Sequence, residues 1–600
     1  GGPEVNPVRW WAEVVFSRTR QPSRGQRSRR SFVRCCTDPD GIPFPDHTLP
    51  VRHRSFRNSS PSTALRRTVP VGLALFACAF ASEVVGQSRP TLVRFDGEAV
   101  AGASISDSLR VYRGVPYAAA PTGSRRWKPP ERHVAGRGTR RADRFGSACP
   151  QSAPGLGPFY RTIAAGFGRA DSVNLEQPRT SEDCLTLNIW STGKAGTTTP
   201  RPVMVWVHGG SNLFGEGASS VYDGSKLARR GVVVVTINYR LGALGFMAHP
   251  ALSAESPVHA SGNYALLDQI AALQWVQRNI AQVGGDPSRV TLFGESAGSI
   301  DIMHLMASPL AAGLFHRAIA QSGAPMAVLP TLAQAERTGV TFAAAFGPDS
   351  TQNVLAALRA MPVDSVVALS TRLLSANPNL ASAVVDGHVL RESTGKAFDQ
   401  GRVVRLPMLL GSNALEMSTL RTYIPKFDRT VANYGAWVSR TFSLLAPRML
   451  ALYPVTSDGD VERTLVQATT HLYMTCPTRF AARGTARAGV PTYLYQFTRV
   501  LPGGESLGAY HSAEIGYVFG TKESWLPLEP VDATLSDAMM TYWVQFAMNG
   551  NPNVPSLPAW PRHEEASDRH LELGRVIAPS EGLTRAACDL VQTALRAQLR

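Results

Sequence analysis

The first chemical signal in the chain is a serine with glycine two places away on either side, Gly294-Glu295-Ser296-Ala297-Gly298. Arg289-Val290-Thr291-Leu292-Phe293 before it reads as a strand and Ala297 to Ala307 after it reads as a helix, so the chain must reverse within a few residues. Such an elbow crowds both flanks of the serine, which is why glycine is needed at 294 and 298, and it presents the hydroxyl at the positive end of a helix. A hydroxyl held this way suits nucleophilic attack on a carbonyl and a covalent acyl intermediate. The developing oxyanion then needs donors. Val205-Trp206-Val207-His208-Gly209-Gly210-Ser211 offers a strand that runs into glycines upstream. The backbone amides of Gly210 and Ser211, with that of Ala297, are the candidate donors, and Gly209 supports the turn.

These groups must be positioned by a scaffold. Unbroken apolar runs at Val203 to Val207, Val232 to Ile237, Val290 to Phe293, Pro407 to Leu410 and Tyr493 to Phe497 do not alternate, so they predict strands covered on both faces, as in a parallel sheet. Between two of them Leu266, Leu267, Ile270, Leu273, Val276 and Ile280 recur at three- and four-residue intervals and predict a helix, which Gly284-Gly285 stops. Strand, helix, strand in this order predicts right-handed crossovers and a large, mostly parallel, doubly wound sheet flanked by helices. The ligand site is expected at the carboxyl ends of the strands.

The formal net charge of +16 does not mark a nucleic-acid partner once it is located along the 600 residues. Residues 1–67 hold thirteen Arg, no Lys and five acidic groups, whereas residues 88–600 hold 48 basic and 39 acidic groups, a mildly basic surface with no binding stripe. Residues 1–63 are rich in Arg, Ser and Pro without a persistent period, and they read as a disordered or untranslated extension, the first Met being Met204. Arg66-Arg67 and the apolar stretch Val69 to Ala81 predict a signal peptide over residues 64–87, too short for a membrane span, with lipid attachment at Cys78 as a lesser alternative. The mature chain, one domain over 88–600, is then secreted or periplasmic and not stably inserted in a membrane. It keeps an even set of cysteines, Cys149, Cys184, Cys476 and Cys588, for which spacing leaves three pairings open. No H-x-x-x-H or C-x-x-C cluster is present, and the chemistry calls for neither metal nor organic cofactor. Oligomeric state is not legible.

Beyond these features the chain resembles the type-B carboxylesterase and cholinesterase family, members of the α/β-hydrolase superfamily, along nearly all of residues 88–600. The resemblance is carried by Arg113-Gly114-Val115-Pro116-Tyr117-Ala118, Ser181-Glu182-Asp183-Cys184-Leu185-Thr186-Leu187-Asn188, Asn238-Tyr239-Arg240-Leu241-Gly242, Gly284-Gly285-Asp286-Pro287, Gln321-Ser322-Gly323, Val385-Asp386-Gly387 and Asn549-Gly550-Asn551-Pro552-Asn553. It implies an α/β-hydrolase fold and a serine carboxylesterase acting on small-molecule esters. It implies Glu416, in Gly411-Ser412-Asn413-Ala414-Leu415-Glu416, as the triad acid and His511, in Gly508-Ala509-Tyr510-His511-Ser512-Ala513-Glu514, as the general base of Ser296. It likewise implies a supporting electrostatic role for Glu295, and bridges joining Cys149 to Cys184 and Cys476 to Cys588.

Departures from the family pattern are as informative. Many relatives carry glycine or alanine where this chain has Ser211, and an aromatic where it has Asn212. The loop between Cys149 and Cys184 has no Trp to face a quaternary ammonium, so choline esters are not the expected substrates. Phe159, Tyr160 and Phe167 could line a gorge entrance or simply pack that loop. Two other readings compete: a catalytically silent binding module, which retention of all three triad residues opposes, and an amidase using the same residues.

Overall fold

Runs of Val and Ile buried on both faces build the centre of the sheet, because β-branched side chains fill a pleated surface and each strand needs cover on both sides. The computed structural model describes residues 91–152, 156–173, 178–194, 196–325, 328–346 and 353–599. The predicted extension 1–63 and the predicted signal peptide 64–87 lie outside the described residues. In chain order come strands β1 (Thr91–Phe95), β2 (Glu98–Ser104), β3 (Arg110–Pro116) and β4 (Thr139–Arg141), helix α1 (Gly157–Gly166), then β5 (Thr186–Ser191), β6 (Arg201–Val207) and β7 (Val233–Ile237). Helix α2 (Tyr264–Asn279), β8 (Gly285–Glu295), α3 (Ala297–Ala307), β9 (Arg317–Gln321), α4 (Val363–Leu373) and β10 (Met408–Asn413) follow. Helices α5 (Val461–Thr470) and α6 (Cys476–Arg487), β11 (Thr492–Phe497), α7 (Pro530–Asn549), β12 (Arg569–Leu573), β13 (Ile577–Glu581) and α8 (Arg585–Leu599) complete the chain.

The strands form one sheet in the order β1-β2-β3-β5-β7-β6-β8-β9-β10-β11-β12-β13, with β4 on β2. From β7 to β12 every neighbouring pair is parallel, while the pairs β1-β2, β2-β3, β3-β5, β5-β7 and β12-β13 at the two ends are antiparallel and β4 lies parallel to β2. The predicted parallel centre and each predicted strand are therefore present. Antiparallel ends close the sheet's edges, and their short mixed segments gave no run to predict from. The predicted stripe lies on α2, where Leu266, Ile270, Leu273 and Val276 are buried in the core on one face of the sheet. A short 3₁₀ turn follows, and Gly284 ends it at φ 77°, a conformation that costs glycine nothing.

Both bridges implied by the resemblance are formed, Cys149 to Cys184 and Cys476 to Cys588. The first closes the loop carrying α1, and the second fastens α8 to the start of α6. In the chain-entropy account each contributes about 3 to 5 kcal/mol by shrinking the unfolded ensemble. Such bridges suit an oxidising compartment. Among the described residues no single helix is long and apolar enough to cross a membrane.

Candidate active site

Ser296 stands between the end of β8 and the first residue of α3 at φ 56°, ψ −123°, a strained conformation for a residue with a side chain. Close packing around the turn maintains it. A Cβ on Gly294 would come within 2.6 Å of the Val207 carbonyl oxygen, and one on Gly298 within 2.1 Å of the same atom, so neither position admits a larger residue. The Ser296 amide donates to the Gln321 carbonyl at 2.9 Å, which ties the elbow to the end of β9.

Beyond β6 the loop turns through three successive residues of positive φ, Gly210 at 108°, Ser211 at 58° and Asn212 at 57°. Gly209 allows it to lie against the elbow, since a Cβ there would sit 2.8 Å from the Glu295 carbonyl oxygen and 3.0 Å from Ser296 Cβ. Asn212 pins the loop from the core side. Its side chain donates to Asp301 at 3.3 Å and accepts from the Tyr239 hydroxyl at 3.3 Å, and its carbonyl accepts from the Gly242 amide at 2.7 Å. The amides of Gly210, Ser211 and Ala297 make no hydrogen bond among the described residues. Orphan amides at a helix start and a strained turn are the groups an oxyanion would satisfy.

His511 and Glu416, distant in sequence, meet at 2.7 Å between Nδ1 and Oε2, both fully buried. The other Glu416 oxygen accepts the Asn413 amide at 2.7 Å, which holds the carboxylate at the end of β10. On the far side of the ring, Nε2 lies 3.1 Å from Glu295 Oε1. Ser512 donates to that same oxygen at 2.7 Å. No hydrogen bond joins the Ser296 hydroxyl to His511 among the described residues, the ring nitrogens being taken by Glu416 and Glu295. The structure thus joins His511 to Glu416 and to Glu295, and leaves Ser296 open to the adjoining cavity.

Burial pulls the His511 imidazole down, but the Glu295 charge and the Glu416 hydrogen bond outweigh it and lift the ring to about 9. Burial also pushes the Glu295 carboxyl well above the usual carboxylate range, against the attraction of His511. The pair therefore holds a proton beyond neutral pH. With His511 in the role of general base that the sequence implies, the ring must be free of that proton, so kcat/KM is expected to rise with pH along a limb centred above the ordinary imidazole value of about 6.5. In Glu295→Gln the charge that raises the ring is gone, and the limb is expected to move down by about one pH unit or more. A pH profile on an uncharged ester checks this, and an unmoved limb would contradict the assignment.

Ser296 opens into a cavity of about 550 Å³ whose walls include Leu213, Phe214, Leu241, Ile300, Val366 and Met417. Among the described residues no Asp, Glu, Lys or Arg lines it. The one histidine among the described lining residues, His304, is held near 3 by burial and is uncharged at neutral pH. Phe159, Tyr160 and Phe167 do not line it. They pack the α1 loop against Leu507, Tyr510 and Trp525, with Phe159 edge-on to the His511 ring at 6.3 Å. Sequence reasoning missed Tyr423, whose hydroxyl meets Ser211 Oγ at 2.8 Å, and Glu514, buried and accepting from Gln321 and Asn413. Glu514 ends the run Gly508 to Glu514 that carries His511, whereas nothing in the sequence near Tyr423 distinguishes it.

The elbow at the carboxyl end of a central parallel strand, with a glycine turn from the neighbouring strand beside it, defines an α/β hydrolase. The chain belongs to the carboxylesterase family, whose model matches residues 93–591, and it is a carboxylic-ester hydrolase. It is 36% identical over 552 residues to a fumonisin B1 esterase of Sphingopyxis macrogoltabida, covering 88% of this chain and 95% of that protein. To carboxylesterase 4A of Bos taurus it is 35% identical, covering 78% of this chain and 87% of the other. Among solved structures it is similar to a PNB esterase, with a TM-score of 0.71 at 29% identity, covering 84% of this chain and 99% of that one.

Proposed function

We propose that Ser296, His511 and Glu416 form the catalytic triad of this esterase. Ser296 Oγ attacks the ester carbonyl while His511 takes its proton, and the charge on the former carbonyl oxygen is met by the amides of Gly210, Ser211 and Ala297. Collapse of the adduct expels the alcohol, which receives the proton from His511. Water then attacks the acyl group on Ser296 by the same route, returning the serine and releasing the acid. Glu416 orients the ring and stabilises its cationic form, and Glu295 tunes its charge. What most supports this reading is the 2.7 Å contact between His511 and Glu416, together with the amides of Gly210, Ser211 and Ala297, which make no hydrogen bond among the described residues.

The walls favour uncharged substrates with an apolar acyl or alcohol group, since an ion entering them would be desolvated without a partner. The catalytic domain spans residues 88–600 and is exported, with residues 64–87 as the signal peptide and the two bridges closing after export. The test is a fluorophosphonate probe on the folded protein beside turnover of p-nitrophenyl butyrate and its matched anilide. Label on the peptide containing Ser296, with the ester cleaved far faster than the anilide, is the expected result. Label elsewhere, or none on active protein, would overturn the triad.

A further inference from the structure

Resting on the assignment of the Ser211 amide as an oxyanion donor, we infer that Tyr423 is a positioning residue that holds this donor in register with Ser296. The Gly210–Asn212 turn is strained. Ser211 and Asn212 both stand in the left-handed region without being glycine, a conformation that favours relaxation unless the surroundings oppose it. On the core side Asn212 is pinned to Asp301 and Tyr239. On the cavity side the Ser211 hydroxyl meets the Tyr423 hydroxyl at 2.8 Å. Glycine or alanine at 211 could make no such bond, so this brace follows from the serine that stands there.

Tyr423 is itself well anchored. It ends a 3₁₀ turn, Arg421–Tyr423, in which its amide donates to the Leu420 carbonyl at 2.9 Å and Arg421 is paired with Glu462 at the start of α5. The same excursion that leaves β10 and delivers Glu416 to His511 thus brings Tyr423 over the turn. Both Ser211 and Tyr423 line the cavity into which Ser296 opens, so the brace lies where substrate enters. A donor is useful only where it meets the oxyanion and not the ground-state carbonyl, and small misplacements of such groups are costly in rate.

The brace is tested with Tyr423→Phe, Ser211→Ala and the double variant, measured with p-nitrophenyl butyrate and with a trifluoromethyl ketone that captures Ser296 as an oxyanion adduct. Each single change is expected to lower kcat about fivefold to tenfold with KM within about twofold, and to weaken the ketone by the same factor. The double variant should be no worse than either single one, because both changes remove the same bond. Unchanged kcat and ketone affinity, losses confined to KM, or losses that multiply in the double variant would overturn the inference. So would impairment by Tyr423→Phe alone, which would make the phenol a direct donor. Failure of the wild type to take the fluorophosphonate at Ser296 would instead remove the triad reading on which the inference rests.

Discussion

Ser296→Ala is expected to lower kcat on p-nitrophenyl butyrate by about 10⁴-fold or more while leaving the fold and KM nearly intact. The hydroxyl is the only group lost, and its neighbours do not depend on it. Its amide still binds the Gln321 carbonyl, and its carbonyl still accepts the Ile300 amide that opens α3. His511→Ala should cost nearly as much, since without the imidazole the attacking oxygen keeps its proton. The double variant should be hardly worse than either, because nucleophile and base act on one event. Residual rate above water would come from the amides of Gly210, Ser211 and Ala297, which neither change touches. Rates that fell only tenfold in Ser296→Ala, with circular dichroism unchanged, would place the nucleophile elsewhere.

How much of this was legible depends on whether a feature is local. The elbow could be read because strand, serine and helix are contiguous, and glycine at 294 and 298 answers a crowding that any such turn imposes. The central strands were equally plain, for a segment such as Val233–Ile237 that is buried on both sides cannot alternate. Glu416 and His511 carry no local mark. They meet only because β10 and β11 are adjacent in the sheet, and it was resemblance, not spacing, that singled them out. Tyr423 and the cavity walls were illegible for the same reason. They come together from segments far apart in the chain, the loop after β6, α3, α4 and the segment after β10, and no single segment's periodicity shows that meeting. The aromatic residues of the α1 loop had two physical fates open to them, and they stand partly buried against a cluster that includes Leu507, Tyr510 and Trp525, far along the chain, which no local pattern could show.

The motif Asn238-Tyr239-Arg240-Leu241-Gly242 shows how a buried charge can serve the site without touching substrate. Arg240 donates to Asp268 on α2 through Nε at 2.8 Å and through a terminal nitrogen at 2.7 Å, and its amide reaches the same carboxylate at 3.1 Å. The two side chains are 4% and 0% exposed, so neither charge has water to fall back on. Asp268→Asn keeps the shape and removes the charge, leaving a guanidinium buried beside a neutral amide. The expected cost is about 3 to 5 kcal/mol, read as a lower denaturant midpoint with an unchanged slope. Replacing both partners, as Arg240→Met with Asp268→Leu, should restore most of the midpoint, since desolvation of the pair consumes much of what its attraction returns. Activity should respond as well. Arg240 leads directly into Leu241 and Gly242, which line the cavity, and the Gly242 amide holds the Asn212 carbonyl under the oxyanion turn at 2.7 Å. Asp268→Asn is therefore expected to lower kcat even at temperatures where it stays folded, and the double replacement to recover stability more fully than rate. If the single change left the midpoint where it was, the pair would be a bystander in the core, and the hold on the oxyanion turn would have to come from Asp301 and Tyr239 alone.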